Sequence, residues 1–266
     1  MRVADFFAAH PVFTHAEFVA AHTAGGQSVR TSNNLLAGYV KTGRLLRVRR
    51  GLYATVPRGT GSQHVQADPY LVASKLSDDA VVAYHAALQF HGKSHTIWRR
   101  FHYLTRARRA THSFQTAEFV PVQAPLAVRD RVDMGGGVVE KDHAGGVVRV
   151  TSLERTLVDV LDAPQRSGGW EEIWRSLEAI EFFDFDAVIE YLFKLGSALT
   201  VARVGFFLEQ HRDDLMVEDR HLDALRARAP SQPLYIDSRR RPGKFVRGWN
   251  LVVPASVLGR MWEEIA

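Results

Sequence analysis

Ser28-Val29-Arg30-Thr31-Ser32-Asn33-Asn34-Leu35-Leu36-Ala37-Gly38-Tyr39-Val40-Lys41, followed by Thr42-Gly43-Arg44 and then Leu45-Leu46-Arg47-Val48-Arg49-Arg50-Gly51-Leu52-Tyr53-Ala54-Thr55-Val56, decides the reading of this chain. Val29, Leu36 and Val40, with Leu35 and Tyr39 beside them, recur at helical spacing, so residues 28–41 are predicted to form an amphipathic helix. Ser28 can cap it, and Gly43, just past the last periodic residue, stops it. Two short β-prone runs then flank a basic turn at Arg49-Arg50-Gly51, which is a hairpin signal. Arg30, Thr31, Asn33 and Asn34 stand early on the helix and Lys41 near its end; Arg44, Arg47, Arg49 and Arg50 belong to the hairpin. A helix fits the DNA major groove, where Asn pairs with adenine and Arg with guanine. A basic loop can hold phosphate or enter the minor groove. The bland alternative is a solvated helix face beside a hairpin edge that its charges keep from pairing with neighbours.

Upstream, residues 2–9 are predicted to form a helix burying Val3, Phe6 and Phe7, interrupted by Pro11. Thr14-His15-Ala16-Glu17 has the capping-box spacing and should open a second helix through about His22, burying Phe18 and Val19. Gly25-Gly26 makes the turn before Ser28. Three short helices and a hairpin in under 60 residues are the layout of a winged helix-turn-helix.

Charge supports the same division. Residues 1–60 hold eight Lys or Arg against Asp5 and Glu17, a local excess of +6 in a chain whose net charge is +5. The remainder is close to neutral, so a polyanion-binding module attached to a neutral domain is expected. The 266 residues contain no cysteine, which excludes disulfides and thiolate metal sites and makes a reducing cytoplasm the expected home. The N-terminal run is too brief and too charged for a signal peptide, and no stretch of about 20 apolar residues predicts a membrane span.

The expected organisation is α+β: a winged helix over 1–58, a linker over 59–66 within the Gly/Pro/Ser-rich stretch that starts at Pro57, and a larger mixed α/β domain over 67–266. Asp68-Pro69 reads as an N-cap with proline at the first helical position. Helices are predicted over 69–76 and 79–91, strands over 101–105, 117–122, 138–141 and 147–150, and turns at Gly135-Gly136-Gly137 and Gly145-Gly146. Thr151-Ser152-Leu153-Glu154 resembles a second capping box opening a helix to Leu161. Further helices are predicted near 170–181, 185–195, 200–211, 219–229 and 255–265, with short strands near 234–236 and 249–253.

Chemical motifs are sparse. The twelve histidines include His85, His91 and His95, but no acidic ligand at diagnostic spacing joins them. His85 reads as a hydrogen-bonded interior residue, and His91 and His95 as surface or turn residues. None of the six lysines has an acid two residues before it, as one large nuclease class requires. There is no Walker loop, dinucleotide-binding glycine pattern or Gly-x-Ser-x-Gly elbow. No catalytic constellation emerges, so the chain is expected not to be an enzyme and to need no cofactor or metal. In the helix 153–161, Leu153, Leu157 and Leu161 form the buried stripe, while Glu154, Arg155, Asp159 and Asp162 are expected largely elsewhere, as local ion pairs or a partner site. On the residues alone, a metal-dependent nucleic-acid-processing enzyme and a partner-binding regulatory module stay open beside the DNA-binding regulator.

Gly43-Arg44-Leu45-Leu46-Arg47-Val48-Arg49-Arg50-Gly51-Leu52-Tyr53 resembles the wing of the AbiEi-type antitoxins of type IV, abortive-infection toxin–antitoxin systems. Thr151-Ser152-Leu153-Glu154-Arg155-Thr156-Leu157-Val158-Asp159, with Gly168-Gly169 downstream, resembles the hallmark of that family's second domain. The two motifs occur in the family's order, in a chain of fitting size. The resemblance implies a transcriptional repressor that binds inverted repeats in its own promoter, and an antitoxin countering a nucleotidyltransferase-like toxin encoded beside it. It marks Glu154, Arg155 and Asp159 as important without giving them a role, and implies no cofactor.

Overall fold

The computed structural model describes residues 2–262 of an α+β chain that packs as two compact units. The first comprises Met1–Val82, Arg99–Val122 and Val139–Val150, the second Ala83–Trp98, Gln123–Val138 and Thr151–Ala266.

In the first unit the order is α1 (Val3–Ala9), β1 (Val12–Thr14), α2 (His15–Thr23), α3 (Val29–Lys41), β2 (Leu45–Arg49), β3 (Leu52–Thr55), α4 (Pro69–Lys75) and β4 (Val81–Val82). The strands β5 (Arg100–Thr105), β6 (His112–Phe114), β7 (Ala117–Gln123), β8 (Val138–His143) and β9 (Gly146–Thr151) follow. Both halves of the Thr14/Glu17 capping box form at the start of α2. Ser28 accepts from the Thr31 N–H to start α3, and Gly43, at φ +69°, ends it. Phe6, Phe7, Phe13, Phe18, Leu36 and Leu45 form the core under these helices. Residues 12–14 add a strand that the sequence did not announce: Phe13 pairs opposite Tyr53, giving a three-stranded sheet of order β1-β3-β2.

The other sheet of this unit has six strands in the order β6-β7-β5-β4-β9-β8. Its centre overturns the helix expected over 79–91. Val81 and Val82 form a strand, antiparallel to Leu104 and Tyr103 and, at Val82, parallel to Val150. Both valines are fully buried, so packing on a central strand outweighs the helical periodicity. Tyr84, at φ +58°, breaks the chain before the helix resumes.

The units do not divide at residues 59–66. Within the first unit, Lys75 pairs with Glu17, the Arg49 Nη2 donates to the Leu76 carbonyl at 2.7 Å, and His112 Nε2 donates to the Val48 carbonyl at 3.0 Å. Gln115 holds Val65 and Ala67 through their backbone, so the stretch after Pro57 is tied to the sheet.

The second unit contains α5 (His85–Phe90), α6 (Leu126–Arg129), α7 (Leu153–Asp162), α8 (Trp170–Glu178), α9 (Phe185–Leu195), α10 (Ala198–Gln210) and α11 (Asp219–Arg226), then β10 (Leu234–Tyr235), β11 (Lys244–Val246), β12 (Leu251–Val253) and α12 (Ala255–Leu258). The last helix is thus shorter than expected, and residues 263–265 of that expectation lie outside the described residues. Trp174, Leu157, Val158, Leu192, Phe207 and Trp249 are among its core. α7 is capped by Ser152, one residue later than expected, because Thr151 lies in β9 and its hydroxyl bonds Thr156.

The charges of α7 are the main correction. Every residue from Arg155 to Leu161 is buried, Arg155 and Asp159 included, at 1% and 2% exposure. Arg155 Nε lies 3.3 Å from Asp159 Oδ2, and the Tyr191 hydroxyl donates to Asp159 Oδ1 at 2.8 Å. The Arg155 Nη1 donates to the carbonyls of Asp133 (3.1 Å) and Gly136 (2.6 Å), and Lys194 donates to that of Gly135. The glycine triplet is therefore a turn wrapped around a buried guanidinium. Gly137, at φ +64°, has no room for a side chain, since a Cβ would stand 2.8 Å from that of Arg155.

His85 is interior, as its sequence context suggested: fully buried, its Nε2 lies 3.0 Å from Glu172 Oε1. Burial opposes ionisation of Glu172, but hydrogen bonds from His85 and from the Thr96 N–H and hydroxyl outweigh it and hold its pKa down at about 2. The folded value is below the ordinary 4.5, so this carboxylate contributes stability above that pH and loses it as pH falls toward 2. Glu172→Gln should flatten the acid limb of urea stability in that window, by roughly 1–2 kcal/mol once solvent screening is discounted. Acid limbs that coincide in the two proteins would remove this assignment.

Candidate nucleic-acid interface

A groove of about 820 Å³ runs between α3 and the β2–β3 hairpin. Asn33, Ala37 and Lys41, four residues apart, form its helical wall. Arg47, Arg50 and Tyr53 form the opposite wall, and His15 joins them at the start of α2. No acidic residue is among those lining it. The His15 N–H donates to the Gly51 carbonyl at 2.8 Å, while its Nε2 donates to Asn33 Oδ1 at 2.6 Å. The side-chain amide nitrogen of Asn33 is thereby left to donate outward, and its oxygen keeps a second lone pair. His15 escaped the sequence reading; the available signal was its place as the first residue after the Thr14 cap.

The hairpin tip explains which arginines face solvent. Arg47 pairs opposite Tyr53 but Arg49 opposite Leu52, so an extra residue is inserted at Val48. This bulge breaks the in–out alternation of the strand. Arg47 and Arg50 are exposed, Val48 is buried, and Arg49 is half-buried against the backbone of Leu76. Arg49, expected to hold phosphate, is instead an internal tie of the first unit.

Three of the remaining candidates lie on the other flank of α3. Thr31, Asn34 and Arg44 line a shallower depression of about 580 Å³. The Arg44 guanidinium sits 5.0 Å from the Tyr39 ring centroid, and the Thr31 hydroxyl bonds Ser28 at 2.9 Å. Arg30 is exposed in the first turn of α3. Tyr53 stacks on Phe13 while also lining the main groove. The nine DNA candidates thus resolve into a groove set (Asn33, Lys41, Arg47, Arg50), a flank set (Thr31, Asn34, Arg44), the exposed Arg30 and one arginine tied inward, Arg49. In the second unit Glu154 is half-buried, while Arg155 and Asp159, expected largely away from the buried face, are core residues. Among the described residues, no group of three His, Asp or Glu side chains is placed to hold a metal ion. No helix there is long and apolar enough to cross a membrane.

No family model and no curated protein matches the sequence. Among solved structures, the chain is similar to the crystal structure of the Rv2827c protein from Mycobacterium tuberculosis, with a TM-score of 0.59 and 16% sequence identity. The match covers 94% of this chain and 88% of that one. At this identity the likeness is one of fold.

Proposed function

We propose that this protein is a sequence-specific DNA-binding transcriptional repressor whose first three helices and β1–β3 act as a winged helix-turn-helix. Its operator would be an inverted repeat in its own promoter, and it acts without a catalytic step. The observation that carries the reading is the acid-free groove in which Asn33 and Lys41 of α3 face Arg47 and Arg50 of the hairpin. A helix seated in the major groove, with basic side chains beside it on the phosphates, needs that pairing of walls.

The antitoxin half of the proposal is a cytoplasmic partner of a type IV operon that counters a nucleotidyltransferase-like toxin. It rests on the resemblance of residues 43–53 and 151–159 to AbiEi-type antitoxins. Burial of Arg155 and Asp159 assigns those hallmark residues to shaping the second unit, so toxin contact would run through its surface.

A gel-shift titration of the full chain on its own upstream DNA, at two salt concentrations with random competitor, tests the DNA reading. Competitor-resistant binding is expected; binding no better than to random duplex would overturn it. Arg30→Ala and Asn34→Ala should each relax preference at one base pair by about 1–3 kcal/mol. Equal losses on operator and random DNA would end their base-reading assignment.

A further inference from the structure

The β5–β6 loop reads Arg106-Ala107-Arg108-Arg109-Ala110-Thr111, and all six residues are exposed. It holds three arginines and no acid. Arg108 and Arg109 make no hydrogen bond or ion pair with the described residues. Like charges this close repel one another in a bare loop, and a polyanion would relieve that repulsion.

Both ends of the loop are anchored. At its start, Asp79 accepts from the Thr105 hydroxyl at 2.8 Å, the Arg106 N–H at 2.7 Å and the Ser77 hydroxyl. Burial works against ionisation of Asp79, yet these hydrogen bonds hold its carboxyl below the usual range. At its end, His112 donates to the Val48 carbonyl, at the bulge of the β2–β3 hairpin. Three residues of chain span at most about 10 Å, so Arg109 cannot lie farther than that from His112. Tyr103 of β5 lies in the field of both Arg109 and the hairpin's Arg49, an independent sign that the two basic segments are neighbours. All of these groups belong to the first unit.

We propose that the β5–β6 loop is a second phosphate-gripping element, in which Arg108 and Arg109 hold the duplex backbone beside the hairpin and extend the contact beyond α3. The inference rests on the DNA-binding reading above. The loop residues are all exposed, and a duplex presents a row of phosphates to both segments. Contact here is sequence-independent and lengthens the DNA footprint on the hairpin side.

The test compares the full-length wild type with Arg108→Ala/Arg109→Ala, Arg108→Lys/Arg109→Lys and Arg47→Ala/Arg50→Ala, using salt titrations on operator and random duplexes. The alanine loop variant should lose about 10–30-fold in affinity on both duplexes, with the slope of log affinity against log salt shallower by about 1.8. The lysine variant should keep most of the slope. An alanine loop variant indistinguishable from wild type, while the hairpin variant loses affinity, would overturn the second contact and leave the repressor reading standing. A lysine variant as weak as the alanine one would trace the loss to loop structure and also overturn it. A wild type with no salt-dependent duplex binding would remove both readings together.

Discussion

Asp159→Ala should destabilise the second unit by about 3–5 kcal/mol, the usual cost of removing one partner from a buried ion pair. Arg155 and Asp159 are both essentially inaccessible, so the deletion strands a guanidinium that water cannot reach. The Arg155 Nη2 already has no hydrogen-bond partner among the described residues, and the Tyr191 hydroxyl would lose its acceptor as well. Burial pushes the Asp159 carboxyl up, with Arg155 and the Tyr191 hydroxyl opposing that push. The aspartate is thus supported by those two groups, and the arginine in turn by the aspartate. Asp159→Asn should cost nearly as much, because it keeps the shape and removes the charge. Replacing the pair together, Arg155→Met with Asp159→Leu, should be much milder, since no unpaired charge remains. Urea denaturation reads all three. A loss below about 1 kcal/mol for Asp159→Ala would refute the buried-pair account.

The second large effect concerns DNA. Lys41→Ala/Arg47→Ala/Arg50→Ala should weaken binding to every duplex by about 10²–10³-fold and make the salt slope shallower by about 2.7, as expected for three lost phosphate contacts. All three side chains are exposed, so folding stability should change by less than about 0.5 kcal/mol per site. Arg49 is left out of this set because its guanidinium is held by the Leu76 carbonyl. A triple variant with the wild-type slope would show that the groove between α3 and the hairpin does not touch DNA.

Local chemistry was legible wherever a signal and its effect lie within a few residues. The Thr14/Glu17 box, the Asp68-Pro69 start, the Gly43 stop and the Arg50-Gly51 turn all act over one helical turn or one hairpin, and the structure places each where it was read. The helix expected near 185–195 forms over Phe185–Leu195, where Asp184 caps it and Gly196, in the left-handed region, ends it.

Tertiary structure decided what depends on distant partners. Val81 and Val82 are a strand because Tyr103, Leu104 and Val150 lie alongside. Arg49 turns inward because a bulge changes its facing and Leu76 supplies an acceptor. Arg155 and Asp159 can be buried because Tyr191 and the backbone of Asp133 and Gly136 solvate them. A helix or strand period reports which residues share a face, and that is a property of the local chain. Whether a charge on that face meets water or a buried partner depends on groups tens of residues away, brought there only by folding.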